Sequence, residues 1–324
     1  MDESAFTYTQ LASHAVLRSA VLHYDLTEPV RCKFYARGLH DNYLVESEHQ
    51  KFILRIYRRQ WRSAEEVGFE LALLSFLGDQ AALVASPLRT KNGGLSFSID
   101  CPEGERFAAL FPYADGHAPG NELSIDVSGL LGKSIANIHR LSDGFTSHYT
   151  RPLLELPHLL DASIIAIQPF VEAEYLSYLK TLQNKLYQAM PTINQTPENY
   201  GICSGDVNTT NFHVNAAQQI IVFDFDQCGY GYRAFEIGKF ISSIHPLKDK
   251  HALAKAFIDG YQQVRQLSSE EMIAIPYFEM VAVIWVMAIN ANNAEYLGHK
   301  WYEKAYWDRK RSILRELDSQ LFTG

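Results

Sequence analysis

The sequence has little of several features that mark specialised classes of protein. Its 324 residues include only four cysteines, at positions 32, 101, 203 and 228, and none form a C-x-x-C pair. Reduced thiols and a cytoplasmic location are therefore expected. Basic residues are not in excess either, since the formal net charge is −8. This charge argues against a nucleic-acid partner that is bound through a basic surface.

Long apolar runs are also missing. The longest, residues 281–289, is too short to cross a bilayer and predicts a buried helix. Residues 1–4 are acidic and no apolar segment follows them, so neither a signal peptide nor a membrane partner is expected. No repeat or low-complexity tract is present. The length suggests about two domains, and a hydrophobic content of 47% allows a sizeable core.

The most informative feature that is present is the spacing of Asp206, Asn211 and Asp224. Two short apolar strands around the polar turn at residues 215–219 predict a β-hairpin. This hairpin brings Asn211 beside the strand end that precedes Asp224, so both side chains can ligate Mg²⁺ through oxygen. Asp206, five residues before Asn211, can accept a proton from a hydroxyl group that is aimed at a phosphate. A D-x-x-x-x-N segment followed by D-F is the pattern of kinase catalytic and metal loops.

The N-terminal third has the pattern of a small sheet with one helix. Residues 42–46 and 52–57 are strand-like, and alternation places Arg55 among apolar neighbours in mid-strand. Residues 63–66 form a capping box that begins a helix, and Gly78 is expected to end it.

Glu70 on this helix borders an apolar stripe, where a carboxylate needs a partner. Arg55 is the candidate, because a strand cation paired with a helix glutamate positions nucleotide phosphates in kinases. The alternative is that the two are separate, solvated residues. Gly38 lies in a turn that could cover phosphates. Beyond the next apolar strand, Phe111 and Tyr113 lie in a predicted linker against which a purine could bind.

From residue 124 onward the pattern is mainly helical. Helices are predicted over residues 124–141, 170–190, 233–244, 251–264, 269–290 and 300–321. His139 is interpreted as a packing histidine, and the basic residues 309–311 as a solvated helix face. Aromatic residues on these helices are interpreted as core in preference to pocket walls: Trp285, Tyr296, Trp301 and Trp307. The predicted fold class is α+β, with an N-terminal lobe over residues 1–112 and a C-terminal lobe over residues 113–324.

Most of the chain, from about residue 41 to 317, resembles the aminoglycoside phosphotransferase and choline kinase-like family. The segments look closest to its stress-response kinase and homoserine kinase type II branch. Besides the segments already described, residues 110–116 resemble the adenine-binding hinge, and residues 224–231 with 235–237 resemble the metal loop and the acid-bearing helix that follows it. The resemblance implies a bilobal protein-kinase-like fold. The sequence departs from the family pattern in three respects: Ser204 stands where histidine is usual, Arg55 stands where lysine is common, and there is no G-x-G-x-x-G motif.

The resemblance implies an ATP- and Mg²⁺-dependent phosphotransferase. ATP would bind in the cleft between the lobes, with adenine at Phe111 and Tyr113 and with Arg55, held by Glu70, on its phosphates. Asn211 and Asp224 would hold Mg²⁺, and Asp206 would be the catalytic base. Glu236 is expected to be a structural acid that fixes the catalytic loop, and Asp226 an acid that shapes the metal loop.

The acceptor is expected to be a small hydroxyl-bearing molecule such as an amino alcohol, homoserine, a sugar or an aminoglycoside. The net charge of −8, which is distributed along the chain, suggests a cationic or neutral acceptor. Three alternatives stay open at this point: a Ser/Thr protein kinase, a non-catalytic nucleotide-binding homologue, and an enzyme that transfers nucleotidyl groups. The sequence assigns no oligomeric state.

Overall fold

The computed structural model describes residues 7–26, 31–298 and 303–322. Over these residues the chain forms two compact units. The first comprises the chain up to Asp115 with residues 145–151 and 221–223, and the second comprises residues 116–144, 152–220 and the chain from Asp224 onward. Each unit has its own secondary structure.

The first unit is built on a five-stranded antiparallel sheet with the strand order β1-β2-β3-β5-β4. Its strands are β1 (Arg31–Arg37), β2 (Asp41–Glu46), β3 (Lys51–Ile56), β4 (Phe97–Ile99) and β5 (Arg106–Pro112). Its helices are α1 (Ser13–His23) and α2 (Ala64–Asp79). The predicted strands over residues 42–46 and 52–57 are therefore confirmed to within one residue at each end.

The core of this unit lies on one face of the sheet. Phe52, Leu54 and Ile56 are buried in it, which is the face that the period-two alternation of β3 predicts. The capping box that begins α2 is present, because Ser63 and Glu66 bond each other's backbone N–H groups. The prediction that Gly78 ends α2 is wrong, since the helix continues through Asp79. Gly78 is instead a close-packing position, where a Cβ would lie 2.6 Å from Oγ of Ser86.

The second unit is mainly helical. Its helices are α3 (Ile125–Leu141), α4 (Ala162–Ile167), α5 (Ala173–Ala189), α6 (Arg233–Ser243), α7 (Lys250–Gln262), α8 (Ser269–Leu297) and α9 (Lys304–Phe322). Two small antiparallel pairs are also present: β6 (Tyr200–Cys203) with β9 (Gly229–Tyr232), and the hairpin of β7 (Phe212–Val214) and β8 (Ile220–Val222), whose residues 221 and 222 belong to the first unit. The N–H of Asn215 donates to the carbonyl of Gln219, so the turn is centred on Ala217 as the sequence predicts.

Helix α8 is long and apolar. By length and composition, residues 269–296 could cross a membrane, but 67% of their most apolar window is buried inside the protein, as in a core helix. Trp285 packs edge-on against Phe235 of α6, with 5.5 Å between ring centroids. Trp307 of α9 stacks on Phe170 at 5.8 Å. The core assignment is confirmed for both tryptophans, whereas Tyr296 is half-buried and Trp301 lies outside the described residues.

Several elements were not predicted from the sequence. They are α1, β1, β4, the paired strands β6 and β9, and the helical segment from Pro157 to Ile167. Most are short, and β4 and β6 contain only three and four residues. Such segments carry too few residues for a periodic pattern, so pairing with a neighbouring strand determines them.

Candidate active site

The predicted ion pair between strand and helix is present in the first unit. Nη1 of Arg55 lies 3.1 Å from Oε1 of Glu70, whose side chain is buried, while that of Arg55 is 11% exposed. The hydroxyl of Tyr57 donates to the second carboxylate oxygen, Oε2, at 3.2 Å. Tyr57 follows Arg55 by two residues on the same face of the chain, so strand alternation could have identified it. The carboxylate thus orients the guanidinium group from a fixed position.

Phe111 lies near the end of β5 and Tyr113 directly follows this strand, and these positions determine which of their groups could contact adenine. The guanidinium carbon of Arg55 lies 5.5 Å from the centroid of the Phe111 ring. Phe111 pairs with Ile53, and the N–H of Tyr113 donates to the carbonyl of Lys51 at 3.0 Å. Because backbone groups alternate in direction along an antiparallel strand, those of Phe111 and Tyr113 face β3.

The N–H of Tyr113 is therefore already bonded within the sheet, and the adenine-binding role of Phe111 and Tyr113 stays a prediction. Pro112, which lies between them and is exposed, directs its carbonyl to the opposite edge. A hydrogen bond with Tyr35 is the largest influence on Tyr113 and raises the pKa of its hydroxyl to about 12.

Gly38 lies in the turn between β1 and β2. Its N–H donates to the carbonyl of His40 at 3.1 Å, and a Cβ at this position would meet open space. The backbone conformation of the turn therefore does not require glycine, and a phosphate-covering role for Gly38 stays a prediction.

In the second unit, the loop after β6 is held in place by one buried carboxylate, that of Glu236. Oε1 of Glu236 accepts the Ser204 hydroxyl at 2.6 Å and the Gly205 N–H at 2.7 Å. Oε2 accepts the Ser204 N–H at 3.0 Å and lies 2.6 Å from Nε2 of His139. The predicted structural role of Glu236 is confirmed by these contacts. They also account for Ser204, whose hydroxyl supplies a loop-fixing hydrogen bond at the position where the family usually has histidine.

The charge states of Glu236 and His139 follow from their burial and their hydrogen bonds. Burial by itself would raise the pKa of Glu236, but the bonds from His139 and Ser204 outweigh it and lower the pKa. Burial lowers the pKa of His139, so the imidazole is neutral. It donates from Nε2 to Glu236 and accepts the Tyr261 hydroxyl at Nδ1, 2.8 Å away. His139 is thus a satisfied packing residue, as predicted.

Removal of this carboxylate should destabilise the protein strongly. Glu236→Ala leaves the N–H groups of Ser204 and Gly205 buried without an acceptor, so we expect a loss of about 3–5 kcal/mol in the free energy of unfolding. Urea denaturation measures this loss. The matched control is Glu174→Ala, at an exposed position on α5, which should change stability by less than about 0.5 kcal/mol. Equal stabilities of the two variants would show that Glu236 does not hold the loop.

Asp206 lies at the end of this loop and has two polar partners. Its Oδ1 is 2.7 Å from Nζ of Lys239, and its Oδ2 accepts a hydrogen bond from Nδ2 of Asn211 at 3.0 Å. The Asp206 side chain is 30% exposed, whereas that of Lys239 is 3% exposed. The carboxylate is therefore both oriented and accessible. Lys239 was not predicted, although it follows Glu236 by three residues on α6 and helical spacing places both on one side.

The same contacts bear on the predicted metal ligands. Nδ2 of Asn211 also donates to the Asp206 carbonyl at 3.0 Å, so the amide nitrogen is committed to Asp206 and Oδ1 points elsewhere. Asn211 directly precedes β7, and Asp224 follows β8 by two residues, so the hairpin brings these chain positions to one end. An amide oxygen and a carboxylate are ligands that suit Mg²⁺. The donor set therefore fits a hard divalent cation.

The backbone of the predicted metal loop is unusual at Asp224, where φ is +64°. Aspartate tolerates this left-handed conformation better than most residues. Gly205 also has a positive φ, +83°, and a Cβ there would overlap the carbonyl oxygen of Gln227. The loops that carry Asp206 and Asp224 thus meet backbone to backbone. Asp226 is buried and accepts a hydrogen bond from Nε2 of Gln227 at 2.9 Å, and its role as an acid that shapes the loop stays a prediction.

A second group of ligand-type side chains does not resemble a metal centre. Potential donor atoms of His139, Cys203 and Glu236 lie within 4.8 Å of one another. Both imidazole nitrogens already have hydrogen-bond partners, and burial raises the pKa of the Cys203 thiol well above its usual value. The thiol is therefore protonated, and the cluster is part of the core.

Comparisons with known proteins identify the family of the chain. Residues 31–270 match the family model APH, described as the phosphotransferase enzyme family. An uncharacterised protein of Synechocystis sp., sll1119, is 36% identical over 99% of this chain and 90% of its own length. A homoserine kinase of Rhodopseudomonas palustris is 23% identical over 83% of this chain and 81% of its own length. The chain therefore belongs to the phosphotransferase enzyme family.

Solved structures support the fold. That of the amicoumacin kinase hAmiN, in complex with AMP-PNP, Ca²⁺ and Ami, has a TM-score of 0.77 at 18% identity and covers 96% of this chain and 93% of that one. The family resemblance and the α+β, protein-kinase-like fold inferred from the sequence are thereby confirmed. At this level of identity the likeness concerns the fold alone, so the roles of individual residues stay predictions.

Proposed function

We propose that this protein transfers the γ-phosphoryl group of ATP to a hydroxyl group of a small molecule. The observation that carries the proposal is the setting of Asp206, which is accessible, oriented by Lys239 and Asn211, and placed on a loop that Glu236 fixes. A carboxylate held in this way can orient a hydroxyl group and accept its proton. The complex of hAmiN with AMP-PNP and Ca²⁺ supports a nucleotide with a divalent cation as co-substrate.

The reaction would proceed by direct displacement. The acceptor oxygen forms a bond to the γ-phosphorus, the bond from that phosphorus to the bridging oxygen of the β-phosphate breaks, and ADP leaves. The proton of the acceptor hydroxyl passes to Oδ2 or Oδ1 of Asp206. Arg55, oriented by Glu70, would bind phosphate oxygens, and the carbonyl of Pro112 is the backbone group best placed for adenine. Most of the rate gain would come from positioning and from charge neutralisation.

Asn211 and Asp224 would hold Mg²⁺ through their side-chain oxygens. When bound, the ion neutralises charge on the phosphate oxygens. Asn211 would serve two purposes, because its amide nitrogen orients Asp206 and its oxygen would be available to the ion.

The proposal is tested by incubating the protein with Mg-ATP and a panel of amino alcohols, hydroxy amino acids, sugars, aminoglycosides and Ser/Thr peptides. ADP formation and the mass of the modified acceptor are measured. We expect ADP and one added phosphoryl group on a small molecule. Modification of peptides alone would indicate a protein kinase, and a nucleotidyl adduct with released pyrophosphate would indicate nucleotidyl transfer. No consumption of ATP with any acceptor, despite nucleotide binding, would indicate a non-catalytic homologue.

A further inference from the structure

Lys239 is a cation that lies against the partly exposed carboxylate of the candidate site. It belongs to α6, and its side chain is 3% exposed, whereas that of Asp206 is 30% exposed. Its Nζ is 2.7 Å from Oδ1 of Asp206, and no other ion pair of this lysine occurs among the residues that the structure describes. A hydroxyl group that donates to Oδ1 would therefore lie no more than about 6 Å from Nζ. An acceptor bound at Asp206 thus has this positive charge nearby.

The ammonium group of Lys239 has more hydrogen-bond donors than it uses. A lysine carries three N–H donors. Within the described part of the chain, Nζ contacts a single acceptor, Oδ1 of Asp206. Two donors are thus left over on a group that is almost fully enclosed. Because enclosed donors without an acceptor are costly, oxygen atoms of a bound molecule are favoured beside Nζ.

The backbone of Lys239 is held in place by its surroundings. Gly238 abuts on α8, where a Cβ would lie 2.6 Å from the backbone nitrogen of Glu279. The Ser242 hydroxyl donates to the carbonyl of Lys239 at 2.7 Å. The flexible four-carbon stem of the lysine still allows its ammonium group to rotate. Nζ can therefore keep its contact with Asp206 and direct its other donors at a molecule that is bound there.

A transferred phosphoryl group would meet several negative charges at the candidate site. Asp206 supplies one carboxylate, and Asp224 and Asp226 supply two more from the loop that meets the Asp206 loop. The phosphoryl group itself carries negative charge on its three outer oxygens. As it leaves ADP and approaches the acceptor oxygen, it comes closer to Asp206 and to Nζ of Lys239. Attraction to the lysine therefore grows toward the transition state, which is the condition for an interaction to raise the rate.

We propose that Lys239 is a catalytic residue that donates hydrogen bonds to the transferred phosphoryl group while it stays paired with Asp206. The inference rests on the proposed function and adds a residue to the same reaction. The acceptor oxygen bonds to the γ-phosphorus, the bond from that phosphorus to the bridging oxygen of the β-phosphate breaks, and the acceptor proton passes to Asp206. Lys239 keeps all of its protons and supplies positive charge on the acceptor side of the phosphoryl group.

The first test uses aluminium fluoride with Mg-ADP, which together mimic the phosphoryl group during transfer and need no acceptor. Calorimetric titrations of the full-length protein measure the affinity for Mg-ADP with and without aluminium fluoride, and the affinity for Mg-AMP-PNP. We expect aluminium fluoride to tighten the binding of Mg-ADP to the unmodified protein. Lys239→Met should reduce this gain by at least about tenfold, while its affinity for Mg-AMP-PNP should change by less than about threefold. Lys239→Arg keeps the charge and should retain most of the gain.

The second test separates contact with the phosphoryl group from orientation of Asp206. ADP formation from Mg-ATP is measured, with the panel member of highest rate, for Lys239→Met, for Asp206→Asn and for the variant that carries both changes. A lysine that acts only through Asp206 should add no loss once Asp206 is replaced, because the effects of residues that act as a unit are not additive. We expect Lys239→Met to reduce the residual rate of Asp206→Asn by about tenfold or more. The double variant lacks both charges of the pair, so it keeps neither of them buried without its partner.

The matched control is Lys255→Met on α7. This change removes an exposed lysine that pairs with Asp259 at 2.6 Å, outside the candidate site. Its variant should bind aluminium fluoride with Mg-ADP and turn over Mg-ATP like the unmodified protein.

Two results would overturn the inference. One is a gain from aluminium fluoride that is equal in Lys239→Met and in the unmodified protein, including no gain in either. The other is a double variant that turns over as fast as Asp206→Asn, which would make Lys239 a positioning residue alone. Both leave the proposed function intact if the unmodified protein forms ADP and a phosphorylated acceptor. A protein that consumes no Mg-ATP with any acceptor would refute the proposed function, and the inference with it.

Discussion

Asp206→Asn is expected to reduce turnover by about 10²–10⁴-fold while leaving nucleotide affinity close to that of the unmodified protein. Asparagine has nearly the same shape, and its oxygen can still contact Nζ of Lys239, but it cannot take up the proton of the acceptor hydroxyl. The rate of ADP formation at saturating acceptor measures the loss. Isothermal titration calorimetry with a non-hydrolysable Mg-ATP analogue measures the affinity.

The matched control for this variant is Asp259→Asn. Asp259 is an exposed aspartate on α7 that pairs with Lys255 at 2.6 Å, outside the candidate site. Its variant should turn over at the unmodified rate, since an exposed ion pair contributes little. If Asp206→Asn also turned over at that rate, Asp206 would not be the base. A loss of nucleotide binding in Asp206→Asn would instead place Asp206 among the metal or phosphate ligands.

Replacement of Asp224 should have the opposite pattern, with the primary effect on binding. Asp224→Ala removes a carboxylate from the predicted Mg²⁺ site, and we expect the Mg²⁺-dependent part of nucleotide affinity to be lost. Calorimetric titrations with and without Mg²⁺ measure this part directly. Turnover should fall with it, because the nucleotide phosphates would no longer be neutralised.

Replacement of Asp224 by alanine both removes the carboxylate and strains the backbone. The variant Asp224→Gly separates these two effects. At φ of +64°, alanine costs about 1–2 kcal/mol, whereas glycine adopts this region freely. Asp224→Gly should therefore lose the Mg²⁺ dependence as completely as Asp224→Ala but melt at a higher temperature. Retention of Mg²⁺-dependent binding in Asp224→Gly would exclude Asp224 as a ligand, because this variant keeps the loop conformation and lacks the carboxylate.

Two features of the site that were predicted correctly are determined by short-range periodicity. Strand alternation and a capping box together placed Arg55 and Glu70 on facing elements, and the structure joins them at 3.1 Å. The turn centred on Ala217 could likewise be read from two apolar segments. The fixation of the loop by Glu236 followed from the resemblance to known kinases, and the hydrogen bonds to Ser204 and Gly205 bear it out.

The parts that were missed depend on packing between distant segments. Lys239 carried a sequence signal, because helical spacing puts it on the side of Glu236, but no local rule pairs it with Asp206. Lys310 belongs to a basic triplet of the kind that usually faces solvent, and only its surroundings in the second unit bury it. Gly78 was taken for a helix end because glycine often ends helices, whereas the closeness of Ser86 is what requires it here. Tertiary contacts override local preference at each of these positions.

The close approach of Gly205 to Gln227 limits which segments can be exchanged between this protein and its homologues. Even the smallest side chain at position 205 would push the backbone of Gln227 away, so the segments that bear Asp206 and Asp224 form one closely packed piece. A chimera that imports either segment alone, from a homologue with a different backbone path, should misalign the other. Only grafts that carry both segments together are expected to preserve activity.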